Sequence, residues 1–155
     1  MTKPLVLILL TVPLMLHAAM RNTEGPCFDE LPGEVDIPYD TEGKVRLQEL
    51  TISPKGEKAF VATEYLGSAN LQASVYLVKN DKYCLSGELG AATDVQANPK
   101  RRVNGRYEIM TLSKSGSDHF YRYFRFIGGQ YVLVNCSIKT ARGITRRCAP
   151  QGSQS

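Results

Sequence analysis

From Val45 onward the chain breaks into short runs of β-branched and aromatic residues, each closed by turn residues, and this cadence is the tightest constraint on its fold. The turns are Ser53-Pro-Lys-Gly56, Gly67-Ser-Ala-Asn70, Lys79-Asn-Asp-Lys82, Asn104-Gly105, Ser115-Gly-Ser-Asp118 and Gly128-Gly129. Proline presets φ for a turn, and Gly, Asn and Asp tolerate the positive φ that tight hairpins need. Strands are therefore expected near 45–52, 58–66, 71–78, 83–89, 93–97, 106–113, 119–127, 131–138 and 144–148. No window of about a dozen residues sustains a 3.6 period, so long helices are not expected. The fold class is all-β, an antiparallel meander of eight or nine short strands. A length of 155 residues suits one domain of this kind.

Shifting the chain by 48 residues superposes it on itself. Phe60-Val-Ala-Thr63 falls on Glu108-Ile-Met-Thr111, Gly67-Ser-Ala-Asn70 on Ser115-Gly-Ser-Asp118, and Val75–Leu85 on Tyr123–Leu133. The Ser53-Pro-Lys-Gly56 and Asn104-Gly105 turns correspond if one residue slips. Two such repeats are too few to close a propeller. The expectation is a small sandwich of two sheets, or a propeller-like fragment.

The N-terminus reads differently. Lys3, the apolar run Leu5–Leu16 and then His17-Ala18-Ala19 have the order of a secretory signal peptide, with cleavage expected after Ala18 or Ala19. The apolar run is interrupted by Pro13 and falls short of the roughly 20 residues that span a bilayer, so no membrane span is expected once residues 1–19 are removed. Residues 20–44 carry three prolines and several turn dipeptides, and no regular element is expected there. The β-rich domain is assigned to 45–148, and 149–155 to a disordered tail.

Export decides how the four cysteines are read. In an oxidising compartment an even count without closely spaced Cys or Cys/His pairs points to disulfides rather than to a metal site. Cys136 and Cys148 lie symmetrically about Arg142, beside Gly143, so a hairpin folded there sets them opposite each other. Cys27 and Cys84 are then paired by elimination, pinning the N-terminal segment to the core.

Phe124-Arg-Phe-Ile-Gly-Gly-Gln-Tyr-Val-Leu133, preceded by Gly105-Arg-Tyr-Glu-Ile109 and the Ser-Gly turn, resembles the hairpins of FG-GAP/VCBS-like repeats, which also occur in small exported proteins of Gram-negative bacteria. The resemblance spans roughly 45–136 and implies a hairpin-repeat architecture. Calcium-binding members carry an Asp-rich loop ending in Gly. The matching turn here is Ser53-Pro54-Lys55-Gly56, with a lysine in place of a carboxylate, so neither calcium nor any other cofactor is expected.

Charge is segregated along the chain. Residues 20–98 hold seven Lys/Arg against thirteen Asp/Glu, a balance of −6, whereas 99–155 hold eleven against two, a balance of +9. Either the two halves neutralise each other within one molecule, or the basic half attracts an anionic partner. That partner is an acidic protein or an anionic envelope component, with nucleic acid the least favoured for an exported protein. The oligomeric state is left open. Within the basic half, strand alternation sorts 119–126 into Phe120, Arg122, Phe124 and Phe126 on one face and His119, Tyr121, Tyr123 and Arg125 on the other. With the first set in the core, the second presents the tyrosines and arginine that dominate binding hot spots. Arg101, Arg102, Arg146 and Arg147 add longer-range attraction.

Catalysis has little to work with. His119 is the only histidine beyond the signal, and no Gly-x-Ser-x-Gly elbow, metal-spaced histidines, phosphate loop or dinucleotide fingerprint is present. The reading is a periplasmic, non-enzymatic binding or envelope interaction protein of inhibitor or immunity type. The alternative is a small glycan or cell-wall hydrolase using paired carboxylates, for which Glu49, Glu64 and Glu88 stand on expected strands.

Overall fold

A computed structural model describes residues 25–31, 45–65 and 71–148. The expected signal sequence at 1–19, residues 32–44, the turn expected at 67–70 and the tail expected at 149–155 lie outside the described residues. All regular structure among the described residues is β. A first sheet holds β1 (Cys27–Phe28), β2 (Val45–Thr51), β3 (Lys58–Tyr65), β4 (Leu71–Lys79) and β5 (Lys82–Ala91), in the spatial order β1-β5-β4-β3-β2. A second holds β6 (Asp94–Val103), β7 (Arg106–Ser115), β8 (Asp118–Ile127), β9 (Gln130–Lys139) and β10 (Thr145–Arg147), in the order β10-β9-β8-β7-β6. Each sheet is thus a four-strand antiparallel meander with one short extra strand on the outer edge of its last member.

The hairpins form where the sequence supplies residues able to take positive φ. Asn80-Asp81, Asn104-Gly105 and Gly128-Gly129 all do so, giving two-residue loops whose twist matches that of the flanking strands. In the loop between β2 and β3, Gly56 N–H donates to Ser53 O at 3.1 Å and Glu57 N–H to Ser53 Oγ at 3.1 Å.

Both disulfides pair as the sequence implied, Cys27 with Cys84 and Cys136 with Cys148. Cys27 stands directly across from Cys84 in the β1–β5 register, and Cys148 N–H donates to Cys136 O at 3.3 Å. The turn between β9 and β10 closes through Gly143 N–H to Thr140 O at 2.9 Å. Each disulfide therefore staples a strand too short to hold itself. Disulfides of this kind persist in oxidising, extracytoplasmic compartments.

The sheets pack face to face, β5 over β9 and β2 over β6. The first sheet contributes mostly small side chains to the core (Ala59, Val61, Ala73, Val75, with Leu50, Leu77 and Leu89), and the second contributes large ones (Ile109, Phe124, Tyr131, with Phe126 and Leu133 against them). Small against large lets the two surfaces interdigitate. The closest approach is at Gly87 of β5, where an added Cβ would lie 2.8 Å from Tyr131 O. Gln48 Nε2 donates to Val95 O at 3.0 Å, and Tyr107 N–H to Ile52 O at 2.6 Å, crossing between the sheets. One ion pair joins the halves among the described residues, Arg106 with Glu57, and the same guanidinium lies 3.9 Å over the Phe126 ring.

Three expectations change. The segment assigned as irregular contains β1, because Cys27 is bonded to an edge that offers it a partner strand. β6 runs to Val103 rather than ending at 97, and the residues between Asn98 and Arg102, Pro99 among them, fall in a break of register on a free edge, where a missing N–H costs nothing. The repeat shift is 48 for β4 and β5 but 49 for β3, since Val61 faces Val75 while Met110 faces Tyr123. The β7–β8 hairpin is one residue shorter than its counterpart.

Candidate functional site

The alternation of β8 sorts as the sequence implied. Phe124 is in the core, Phe126 packs against it, and Arg122 turns inward to donate to Ala91 O at 2.9 Å and Ser113 Oγ at 3.1 Å. His119, Tyr121, Tyr123 and Arg125 face away from the first sheet, and all four are half-buried.

Cross-strand register surrounds them with neighbours on the same face. One row runs Thr145, Lys139, His119, Lys114, and the next Arg147, Ser137, Tyr121, Leu112, Asp94. A third runs Asn135, Tyr123, Met110, Gln96. In a fourth, Val132 faces Arg125 and Glu108 faces Asn98, joined by the Arg125–Glu108 ion pair. The result is a surface with two lysines and a histidine at one end, an apolar and aromatic centre, and an ion pair at the far end. Among the described residues, no hydrogen bond or ion pair holds the side chains of Lys114, His119, Tyr121, Tyr123 or Lys139.

Arg125 is different. Its Nε donates at 3.0 Å to Oε2 of Glu108, whose side chain is 1% exposed against 38% for the arginine. The bond uses the inner edge of the guanidinium and leaves its outer fork of two amino groups for a ligand. That fork matches a carboxylate in geometry, and because Glu108 holds it in place, little side-chain entropy remains to be lost on binding. The other oxygen of Glu108, Oε1, is buried with no hydrogen-bond partner.

The predicted long-range arginines are not gathered together. Arg147 shares the row of Tyr121, whereas Arg146 pairs with Ile138 and so belongs to the opposite side of β10. Arg101 and Arg102 stand at the far edge of the sheet, on β6, and all four are exposed. Lys114, Lys139, Met110 and Leu112 belong to the face and were not singled out in the sequence; the signal for them is hairpin register. The carboxylates Glu49, Glu64 and Glu88 are all exposed on the first sheet, and Glu49 is paired with Lys58 at 2.8 Å. Among the described residues no three His, Cys, Asp or Glu side chains gather to hold a metal ion. No helix among them is long and apolar enough to cross a membrane.

Comparison with protein-family models, with curated proteins and with solved structures returns no match to this chain.

Proposed function

We propose that this is an exported, periplasmic binding protein, not an enzyme, which recognises an acidic partner protein through the outer face of β6–β9, in the manner of an inhibitor or immunity protein. The observation that carries the reading is Arg125, fixed by a buried carboxylate with its fork free, beside Tyr121 and Tyr123 and below three unpaired cationic or ionisable groups. Rigid aromatic area next to a preoriented arginine is the composition of a binding hot spot. The resemblance to exported hairpin-repeat proteins and the signal-like N-terminus support the compartment.

The test uses the mature chain as bait in envelope extract. The expected result is capture of an acidic protein that weakens as salt rises and is lost in Tyr121→Ala/Tyr123→Ala, a variant that keeps its melting temperature. Capture unchanged by that variant would refute the reading. Turnover of purified peptidoglycan by the unaltered protein would favour the hydrolase instead.

A further inference from the structure

The register breaks reveal how the two sheets are related. β5 slips against β4 twice, between Ala73 and Ser74 and between Val75 and Tyr76, and the second of these slips recurs 48 residues later, where β9 slips against β8 between Tyr123 and Phe124. With this equivalence, Ala73, Val75 and Leu77, which face the second sheet, correspond to Tyr121, Tyr123 and Arg125, which face away from the first. Phe124 and Phe126, which face the first sheet, correspond to Tyr76 and Val78, which face away from the second. The sandwich therefore joins opposite faces of its two repeats, with like strand over like strand. A two-fold arrangement would join the same faces. This one is head to tail, and a head-to-tail contact does not use up its surfaces: one complementary face is left over at each end.

The leftover face of the first sheet carries the same kind of side chain as the face that seals the interior. Tyr76, Val78, Tyr83, Leu85 and Phe60 stand where the second sheet has Phe124, Phe126, Tyr131, Leu133 and Ile109. Tyr83 and its counterpart Tyr131 each take an edge-on ring contact on this face, Tyr83 from Phe60 at 5.5 Å and Tyr131 from Phe126, the counterpart of Val78, at 5.3 Å. Tyr76 is buried beside Phe28, and Val78 is 49% exposed.

Charge agrees with the geometry. Glu64 and Glu88 are exposed at the end of the first sheet nearest the β3–β4 connection, and both lie close enough to Tyr76 to raise its pKa, although burial is the larger cause. Lys114, His119 and Lys139 occupy the corresponding end of the second sheet's outer face. Stacking a further sheet like over like brings these acids onto these bases.

We propose that the partner fitting these two faces is a second copy of this chain, the outer face of β6–β9 in one copy receiving the outer face of β2–β5 in the next. The inference shares its basic face with the recognition reading and adds an acidic face that reading does not use. Copies added in this way form a ring if the rotation per sheet closes and an open stack if it does not.

Sedimentation equilibrium of the mature protein tests it. The expected result is a mass that rises above the monomer with concentration and falls back with added salt. Two charge reversals at exposed positions, Glu64→Lys/Glu88→Lys and Lys114→Glu/Lys139→Glu, should each give a monomer on its own, and an equimolar mixture of the two should associate again. A monomeric unaltered protein at every concentration overturns the proposal and leaves the connection between β1 and β2 as the occupant to test on the acidic face. Association that survives Glu64→Lys/Glu88→Lys overturns it in favour of a two-fold contact between basic faces. The same variant separates the two readings, since it should abolish self-association and leave capture of an acidic partner unchanged.

Discussion

Arg125→Ala should destabilise the protein far more than a half-exposed surface residue ordinarily does. The reason is Glu108, whose carboxylate has Arg125 as its one hydrogen-bonding partner among the described residues and is otherwise buried. Breaking a fully buried ion pair costs about 3–5 kcal/mol because the surviving charge is stranded. Here the guanidinium is 38% exposed, so water reaches part of the vacated space and the expected cost falls to about 2–3 kcal/mol. Glu108→Gln strands no charge in the interior, since the arginine can turn to solvent, and should cost about 1 kcal/mol.

The double variant is the decisive member of the set. With a neutral amide at 108, loss of Arg125 leaves no buried charge, so the pair should together cost about 2 kcal/mol, less than the sum of the singles by about 1–2 kcal/mol. Urea unfolding of the four proteins, with m-values held constant, reads this coupling directly. Strict additivity, or a cost below about 0.5 kcal/mol for Arg125→Ala, would show that Glu108 does not depend on Arg125 and would remove the argument that the guanidinium fork is fixed in place. It also follows that Arg125→Ala is a poor probe of binding, because it perturbs fold and face together.

Gly87→Ala should cost about 1–3 kcal/mol in urea unfolding, because its Cβ would sit 2.8 Å from Tyr131 O and 2.9 Å from Tyr131 Cβ and force the sheets apart; a neutral or stabilising result would place β5 and β9 further apart than described. Replacing both members of each cystine by Ser should cost about 4 kcal/mol for Cys27/Cys84, which closes 57 residues, and about 3 kcal/mol for Cys136/Cys148, which closes 12; the reverse order in thermal melts would count against a loop-entropy origin. Burial holds the Tyr131 phenol well above its ordinary 10.0, with Arg106 opposing and Glu57 reinforcing. A raised folded-state pKa contributes stability that is full below the unfolded value and lost as pH rises beyond it, so stability should decline above pH ~10, and Tyr131→Phe should make that decline shallower. Replacing Lys100, Arg101 and Arg102 by Thr should increase light scattering of concentrated protein, because Lys and Arg on a free edge strand block edge-to-edge pairing; unchanged scattering would assign them to partner attraction alone.

The strands and both disulfides were legible because they rest on local chemistry. Turn residues mark where β4 must reverse at Asn80-Asp81 and β8 at Gly128-Gly129, and alternation separates Phe124 from Tyr123 without any knowledge of what packs on either. The composition of the outer face of β6–β9 was legible only along β8. Folding the chain about Gly128-Gly129 with an unbroken register sets His119 opposite Ile138. The slip between Tyr123 and Phe124 advances that partner to Lys139, and since strand side chains alternate, one residue decides whether a lysine or an isoleucine joins the face. Such bulges have no fixed residue signature, so Lys139 could not be placed from sequence. Glu108 was hidden for another reason. Its burial comes from the arrangement of three strands around it, and a lone glutamate in an alternating run reads as a solvated one.

The boundary between the acidic and basic stretches of the chain nearly coincides with the boundary between the two sheets, which end and begin at Ala91 and Asp94. If that segregation served to hold the sheets together, the interface between them would be laced with ion pairs. Instead it is filled by Val61, Val75, Phe124, Tyr131 and their neighbours, and Arg106–Glu57 is the one ion pair that crosses it among the described residues. Apolar burial at roughly 1.5–3 kcal/mol per large side chain suffices there, and an ion pair at a sheet rim adds about 0–1 kcal/mol. Among the described residues, Glu64 and Glu88 stand exposed on the outer face of the first sheet, and Lys114, His119 and Lys139 on that of the second. Exposed groups of opposite sign at these positions orient an approaching charged partner and make its association sensitive to salt. The interface between the sheets is thus left to apolar packing, and the outer face of β6–β9, with Lys114 and Lys139, makes different demands on whatever binds it from the outer face of β2–β5, with Glu64 and Glu88.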